Sequence, residues 1–284
     1  MEIFLLLLFS GTIRGIGYIV SKYISLGKGS SHSMALANAI MDTSLSLPIG
    51  IFILLRTPDF HIETAILFLS ILSAAAYGLS ISLQYSALKR IDMSVMGIVL
   101  RLNILFSSLI GIIVLGEKMN NWNYLGLFTI LIGNFIVLSK KGKFNINFGV
   151  LFVILAAICS AIASNLDKYI LNNINSVLYV SLNSLLLMLT LFFMRPKSLK
   201  TSFSLIRNRF KIFLLFSFLN ITAWFFASYV LQNMDVSKFA PIQKTITLII
   251  PVLSGILIFK EKENLTQKLI GLGLAIVGIG LMYL

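Results

Sequence analysis

Residues 87–118 read ALKRIDMSVMGIVLRLNILFSSLIGIIVLGEK, and residues 230–262 read VLQNMDVSKFAPIQKTITLIIPVLSGILIFKEK. Asp92-x-Ser94 in the first block matches Asp235-x-Ser237 in the second. An apolar run follows in each, and then a charged corner, Gly116-Glu117-Lys118 or Lys260-Glu261-Lys262. Beyond the corner, Gly126 and Gly133 share the spacing of Gly271 and Gly278. Fainter matches precede the blocks: SKYI (21–24) with DKYI (167–170), and Asn38 with Asn183. The chain therefore reads as two related halves, 1–141 and 147–284, joined near Gly142–Asn147.

Composition sets the medium. Of 284 residues, 58% are hydrophobic and only 12% are charged, with mean hydropathy +0.96. A water-soluble domain carries about 25% charged residues, and it cannot hide this much apolar surface. Apolar windows near bilayer length fall at 3–24, 34–55, 64–88, 93–115, 121–139, 147–167, 174–194, 211–232, 238–259 and 266–284. The expected fold is an all-α polytopic membrane protein of ten transmembrane helices, arranged as two five-helix repeats. The first window lacks a basic start and a small-residue cleavage site, so it reads as a span and not as a removed signal peptide.

Sixteen of the 23 Lys and Arg residues lie in or beside the links after odd-numbered spans, and four lie in the even links. The positive-inside rule places the odd links in the cytoplasm, for a multi-pass protein of the cell (inner) membrane. The net charge of +13 then reads as topology signalling and headgroup contact, not as nucleic-acid binding. Five spans per half is an odd number, so the halves have opposite orientation. Inverted repeats are the signature of alternating-access carriers, with the solute site near the membrane midplane between the halves.

The doubled pattern is an AL…D-x-S step, an apolar span, a GEK corner and a Gly-x6-Gly span. It resembles the EamA-type transporters of the drug/metabolite transporter superfamily. The resemblance covers essentially the whole chain and implies a transporter fold. That superfamily includes amino-acid and drug exporters, uptake carriers, and nucleotide-sugar and sugar-phosphate exchangers. The family often has a proline in the fourth and ninth spans at a set distance before the corner. Here the fourth span has none, and Pro251 of the ninth stands about one turn late.

The Asp-x-Ser alignment pairs Arg101 with Lys244, so each half sets a cation at the same depth of the same span. Helical spacing puts Ser94, Gly97 and Ser108 on the face of Arg101. The same rule puts Ser237, Ala240, Thr247 and Pro251 on the face of Lys244. A small, hydroxylated stripe with one cation suits a cavity wall. Snorkelling toward an interface and plain helix packing are the alternatives. Arg14, with Ser10, Gly11, Gly17 and Ser21, is a third deep cation without a basic counterpart. Asp42 reads as the one deep carboxylate, either a counter-ion for Arg14 or Arg101 or a proton-coupling group. Asn183 and Gln243 are the further candidates for solute contact, while other buried amides read as glue between helices. Glu117 reads as a local ion-pair partner of Lys118, and the Gly-x6-Gly faces as close-packing surfaces that could join protomers of a homodimer.

The expected function is a secondary transporter of a small organic solute, moved through a cavity between the repeats. Three deep cations against one carboxylate favour an anionic or zwitterionic solute, because arginine holds carboxylate or phosphate bidentately. A proton or counter-substrate would supply the energy. Broad drug or amino-acid export and flipping of an anionic lipid headgroup are the alternatives. There is no Walker motif, no Cys/His metal pattern with Cys159 the single cysteine, and no nucleophile–base set. The chain reads as not an enzyme, without cofactor or metal.

Overall fold

The computed structural model describes residues 2–25, 30–57, 62–88, 90–91, 96, 99–138, 148–257 and 265–284. Every described element is helical: α1 (Glu2–Ser25), α2 (Ser31–Leu55), α3 (Thr64–Leu88), α4 (Leu102–Val114), α5 (Asn121–Leu138) and α6 (Phe148–Leu171). There follow α7 (Ser176–Met194), a 3-10 turn at Pro196–Ser198, α8 (Leu199–Asn208), α9 (Phe210–Gln232), α10 (Val236–Leu257) and α11 (Leu265–Tyr283). Eight of these helices are long and apolar enough to cross a bilayer, and α4 and α5 are shorter apolar helices. The sixth helix runs four residues past the expected end of its window, to Leu171, and α8 stands where only a link was expected.

Large apolar side chains cover the outer faces. Ile113 is 77% exposed and Phe148 75%. In water such surface drives aggregation; in hydrocarbon it costs nothing. Polar side chains instead line the contacts between helices, because lipid gives no hydrophobic drive for helix association.

The chain forms two compact units. The first comprises Met1–Gly78 and Leu166–Asn233, and the second comprises Leu79–Asn165 and Met234–Leu284. Each unit draws helices from both sequence halves, so compactness and sequence repetition divide the chain differently.

In the first unit α1 packs on α9, and α2 packs on α7, α8 and α9. A hydroxyl seam joins α2 to α7. Ser46 and Ser184 hydroxyls lie 2.6 Å apart, Thr43 donates to the Ser184 carbonyl at 3.0 Å, and Ser181 donates to the Ser46 carbonyl at 2.8 Å. His32 bonds the Leu191 carbonyl at 3.0 Å further along the same pair. Ile24, Ala37, Met41, Leu205, Ile206 and Phe213 form an apolar cluster at one end of this unit.

In the second unit α5 and α11 run antiparallel along their glycines. A Cβ on Gly133 would sit 2.7 Å from the Gly271 carbonyl, and one on Gly278 would sit 2.8 Å from the Gly126 carbonyl. Only glycine permits that approach. Amide side chains tie both ends of the pair: Asn123 donates to the Met282 carbonyl at 3.0 Å and Gln267 to the Ile136 carbonyl at 2.6 Å. The Gly-x6-Gly faces thus meet each other within one chain and are not spare surfaces for a second protomer. Reciprocal bonds between Asn120 and Asn123, at 2.8 and 3.1 Å, cap the start of α5.

Candidate functional site

The candidate residues fall in both units. Arg14, Asp42 and Asn183 belong to the first, and Arg101, Lys244, Gln243 and Ser237 to the second. Ser94 lies outside the described residues.

In the first unit Asp42 is buried on α2. Its Oδ2 accepts a 2.8 Å hydrogen bond from the Asn220 amide of α9. Arg14 of α1, the deep cation of the sequence reading, belongs to the same unit. Among the described residues, Asp42 Oδ1, Arg14 Nε, Asn38 Oδ1, Ser217 Oγ and Asn183 Oδ1 are buried without hydrogen-bond partners. Buried polar groups are almost always paired, and these five atoms are exceptions within this unit. The Asn183 amide nitrogen is already engaged, donating to the Tyr179 hydroxyl.

A second carboxylate corrects the expectation of one. Asp167 is 4% exposed on α6 and accepts from Ser73 and, at 2.8 Å, from Tyr77 of α3. The sequence window ended at residue 167 and so placed it at an edge. The helix continues for another turn and carries the side chain inward. Its neighbour Lys168 turns to the end of α9, donating to the carbonyls of Leu231 and Gln232 at 2.9 and 3.0 Å. A cation at a helix C-terminus meets both the unpaired carbonyls and the negative end of the dipole.

In the second unit Arg101 reaches the main chain of Lys244. The Arg101 guanidinium donates to the main-chain carbonyl of Lys244 at 3.1 Å. Arg101 stands at the start of α4, Lys244 lies in α10, and both side chains are half-buried. Residues equivalent in the two halves are thereby brought to one place. Pro241 shapes the neighbourhood. It has no N–H to give the carbonyl four residues earlier, and Ser108 of α4 donates to that Ser237 carbonyl at 3.1 Å instead. The Ser237 hydroxyl and the Gln243 amide nitrogen are buried without partners among the described residues. Asn103, Asn134 and Asn165 act as glue: Asn103 donates to Ala157 at 3.1 Å, Asn134 to Thr245 at 3.1 Å and Asn165 to Ser107 at 3.2 Å.

The model of the EamA-like transporter family matches residues 1–139 and again 147–284. The chain belongs to that family. The EamA-like chain is therefore a multi-pass membrane transporter of the drug/metabolite transporter type. In fold, 29 solved chains match it. One crystal structure superposes with TM-score 0.71 at 14% identity, covering 97% of this chain and 94% of the other. At that identity the likeness concerns the fold alone. No curated protein sequence matches.

Glu117, at the corner of this EamA-like chain, differs from its expected role. It does not pair with Lys118; its carboxylate accepts from the backbone N–H groups of Val236 and Ser237, at 2.7 and 2.8 Å. It thus caps the N-terminus of α10, the helix that carries Gln243 and Lys244. Gly116, at φ 69°, makes the turn that delivers it. The sequence held a signal for this contact: Val236 and Ser237 open a helix with no side-chain acid in its first turn.

Proposed function

We propose that the chain is a secondary transporter that works by alternating access through ten spans, the two repeats lying inverted in the bilayer. Its solute is a small organic anion or zwitterion, held in the second compact unit by Arg101 of the first repeat and Lys244 of the second. The observation that carries this reading is the 3.1 Å bond from Arg101 to Lys244's own main chain. An anion bound where Arg101 of α4 meets the main chain of α10 would draw on both cations. A carboxylate or phosphate would accept from the guanidinium fork in two parallel bonds. Gln243 Nε2 and the Ser237 hydroxyl, buried and unengaged, supply neutral donors beside them.

The first unit is assigned the coupling role. Asp42 and Asp167 are two buried carboxylates, and Arg14 is a cation of the same unit. An uncompensated charge in hydrocarbon is expensive, so a proton that joins and leaves Asp42 as the solute moves is the simplest coupling. The basic links after odd-numbered spans face the cytoplasm in this reading.

The test is transport in proteoliposomes. Purified protein is first screened by thermal shift against amino acids, carboxylates, nucleotides and sugar phosphates. A stabilising class is then taken into flux measurements with Arg101→Ala and Lys244→Ala. Both variants are expected to lose flux and ligand stabilisation while remaining folded and inserted. Undiminished flux in both would refute the assignment.

A further inference from the structure

We propose that α8, with the turns on either side of it, is a docking surface for anionic phospholipid headgroups. The segment is tethered at both ends to membrane-spanning helices: α7 ends at Met194 and α9 begins at Phe210. It must therefore lie at a bilayer surface. Its charge has one sign. Residues 195–211 contain Arg195, Lys197, Lys200, Arg207, Arg209 and Lys211 and neither Asp nor Glu.

The faces of α8 are sorted. Ser202, Leu205 and Ile206 are buried. Ser202 donates to the Ser33 carbonyl of α2 at 2.9 Å, and the other two enter the apolar cluster with Ala37 and Met41. These contacts fix the helix in rotation. The opposite face then presents Lys200, Phe203 and Arg207, all exposed, at the three- and four-residue spacing that aligns them in one stripe. Phe203 is 55% exposed, Phe193 and Phe210 flank the segment at 72% and 51%, and Lys211 is exposed beside Phe210.

Topology signalling requires only that a link be basic. It requires neither a helix nor phenylalanines interleaved with the cations. A basic helix with exposed aromatic side chains, held flat against the bundle, matches an interfacial lipid surface. The phenylalanines enter the acyl boundary while the lysines and arginines meet phosphate oxygens. Free phosphate would satisfy the cations alone, and nucleic acid would leave the phenylalanines unused. The binding is a property of the folded chain in its bilayer and does not depend on which solute is carried.

The experiment titrates short-chain phosphatidylglycerol, phosphatidylcholine or glycerol phosphate into the full chain in neutral detergent and follows the thermal midpoint. Phosphatidylglycerol is expected to raise the midpoint, and the other two are expected to leave it in place. The triple variant Lys200→Gln, Arg207→Gln, Lys211→Gln is expected to lose most of that rise, and Phe203→Ala part of it with every charge retained. Should the triple variant fail to fold, the wild type still decides. A headgroup interaction falls away as salt screens it, so a rise undiminished at high salt overturns the proposal. An equal rise in wild type and triple variant overturns it too, as does an equal rise with glycerol phosphate, which would make the site a free-phosphate site.

Discussion

Alanine at the four glycines of α11 should separate into two pairs of opposite sign. A Cβ on Gly271 would lie 2.6 Å from a Val137 methyl and 2.7 Å from the Gly133 carbonyl; one on Gly278 would lie 2.8 Å from the Gly126 carbonyl. Ordinary contact begins at 3.4 Å, so α5 and α11 must part by roughly 0.6 Å or more, against the close packing that holds them. Overpacking of this kind costs about 1–3 kcal/mol. Alanine recovers about 1 kcal/mol of helix propensity over glycine, which leaves a net loss of up to about 2 kcal/mol at each site. Gly273 and Gly280 have nothing within 4 Å of a built Cβ. There the propensity gain stands alone, and alanine should be neutral or stabilising by up to about 1 kcal/mol. Thermal unfolding in detergent reads the contrast as a downward shift of a few degrees for Gly271→Ala and Gly278→Ala and none, or a rise, for Gly273→Ala and Gly280→Ala. The shifts should not depend on protein concentration, because the seam lies within one chain. If Gly271→Ala and Gly273→Ala behave alike, the glycine seam is not what holds α5 to α11.

Glu117→Ala should destabilise by about 3 kcal/mol, since two charge-assisted hydrogen bonds to α10 are lost and Val236 and Ser237 are fully buried. Glu117→Gln keeps one acceptor and should lose about half as much, with chemical denaturation in mixed micelles as the measure. Tyr77→Phe removes a 2.8 Å donor from buried Asp167 and should cost about 1–3 kcal/mol in the same measurement; a change within experimental error would mean that the carboxylate's remaining partners satisfy it. Ser184→Ala deletes the 2.6 Å contact with Ser46, while Thr43 still bonds the main chain at residue 184. The loss should stay near 0.6 kcal/mol, typical of such bonds between membrane helices, and a collapse of the fold would show that the seam acts as one cooperative unit.

The helices were legible because the solvent is legible. Hydrocarbon demands long apolar runs with every backbone group bonded inside the helix, so apolar windows match α1–α3, α5–α7 and α9–α11 to within a few residues, while the window 93–115 begins nine residues before α4. It missed α8, whose ten residues are amphipathic and polar on average, below what a span-length window detects. The repeat was legible because equivalent polar residues stand out against an apolar ground, as Arg101 and Lys244 do.

Partners were less legible, because a partner is a tertiary fact. Lys118 stands next to Glu117 in sequence, yet the carboxylate found two unpaired N–H groups on α10, which bind it from the positive end of a helix dipole. Asp167 ends its apolar window, and only the further turn of helix to Leu171 makes it a buried residue. The small-residue faces of spans 5 and 10 fit equally well a neighbour in the same chain or in another protomer.

The sequence by itself determined the class of fold, the medium and the repeat, since these follow from composition and period, which every residue reports. Only the tertiary structure decided which polar groups meet: Asp42 with Asn220, Asp167 with Tyr77, Glu117 with α10, and Arg101 with the main chain of Lys244. In a medium where a lone charge is prohibitive, each polar group must find a partner somewhere. Its type says that a partner is needed, and the packing of helices distant in sequence says which one.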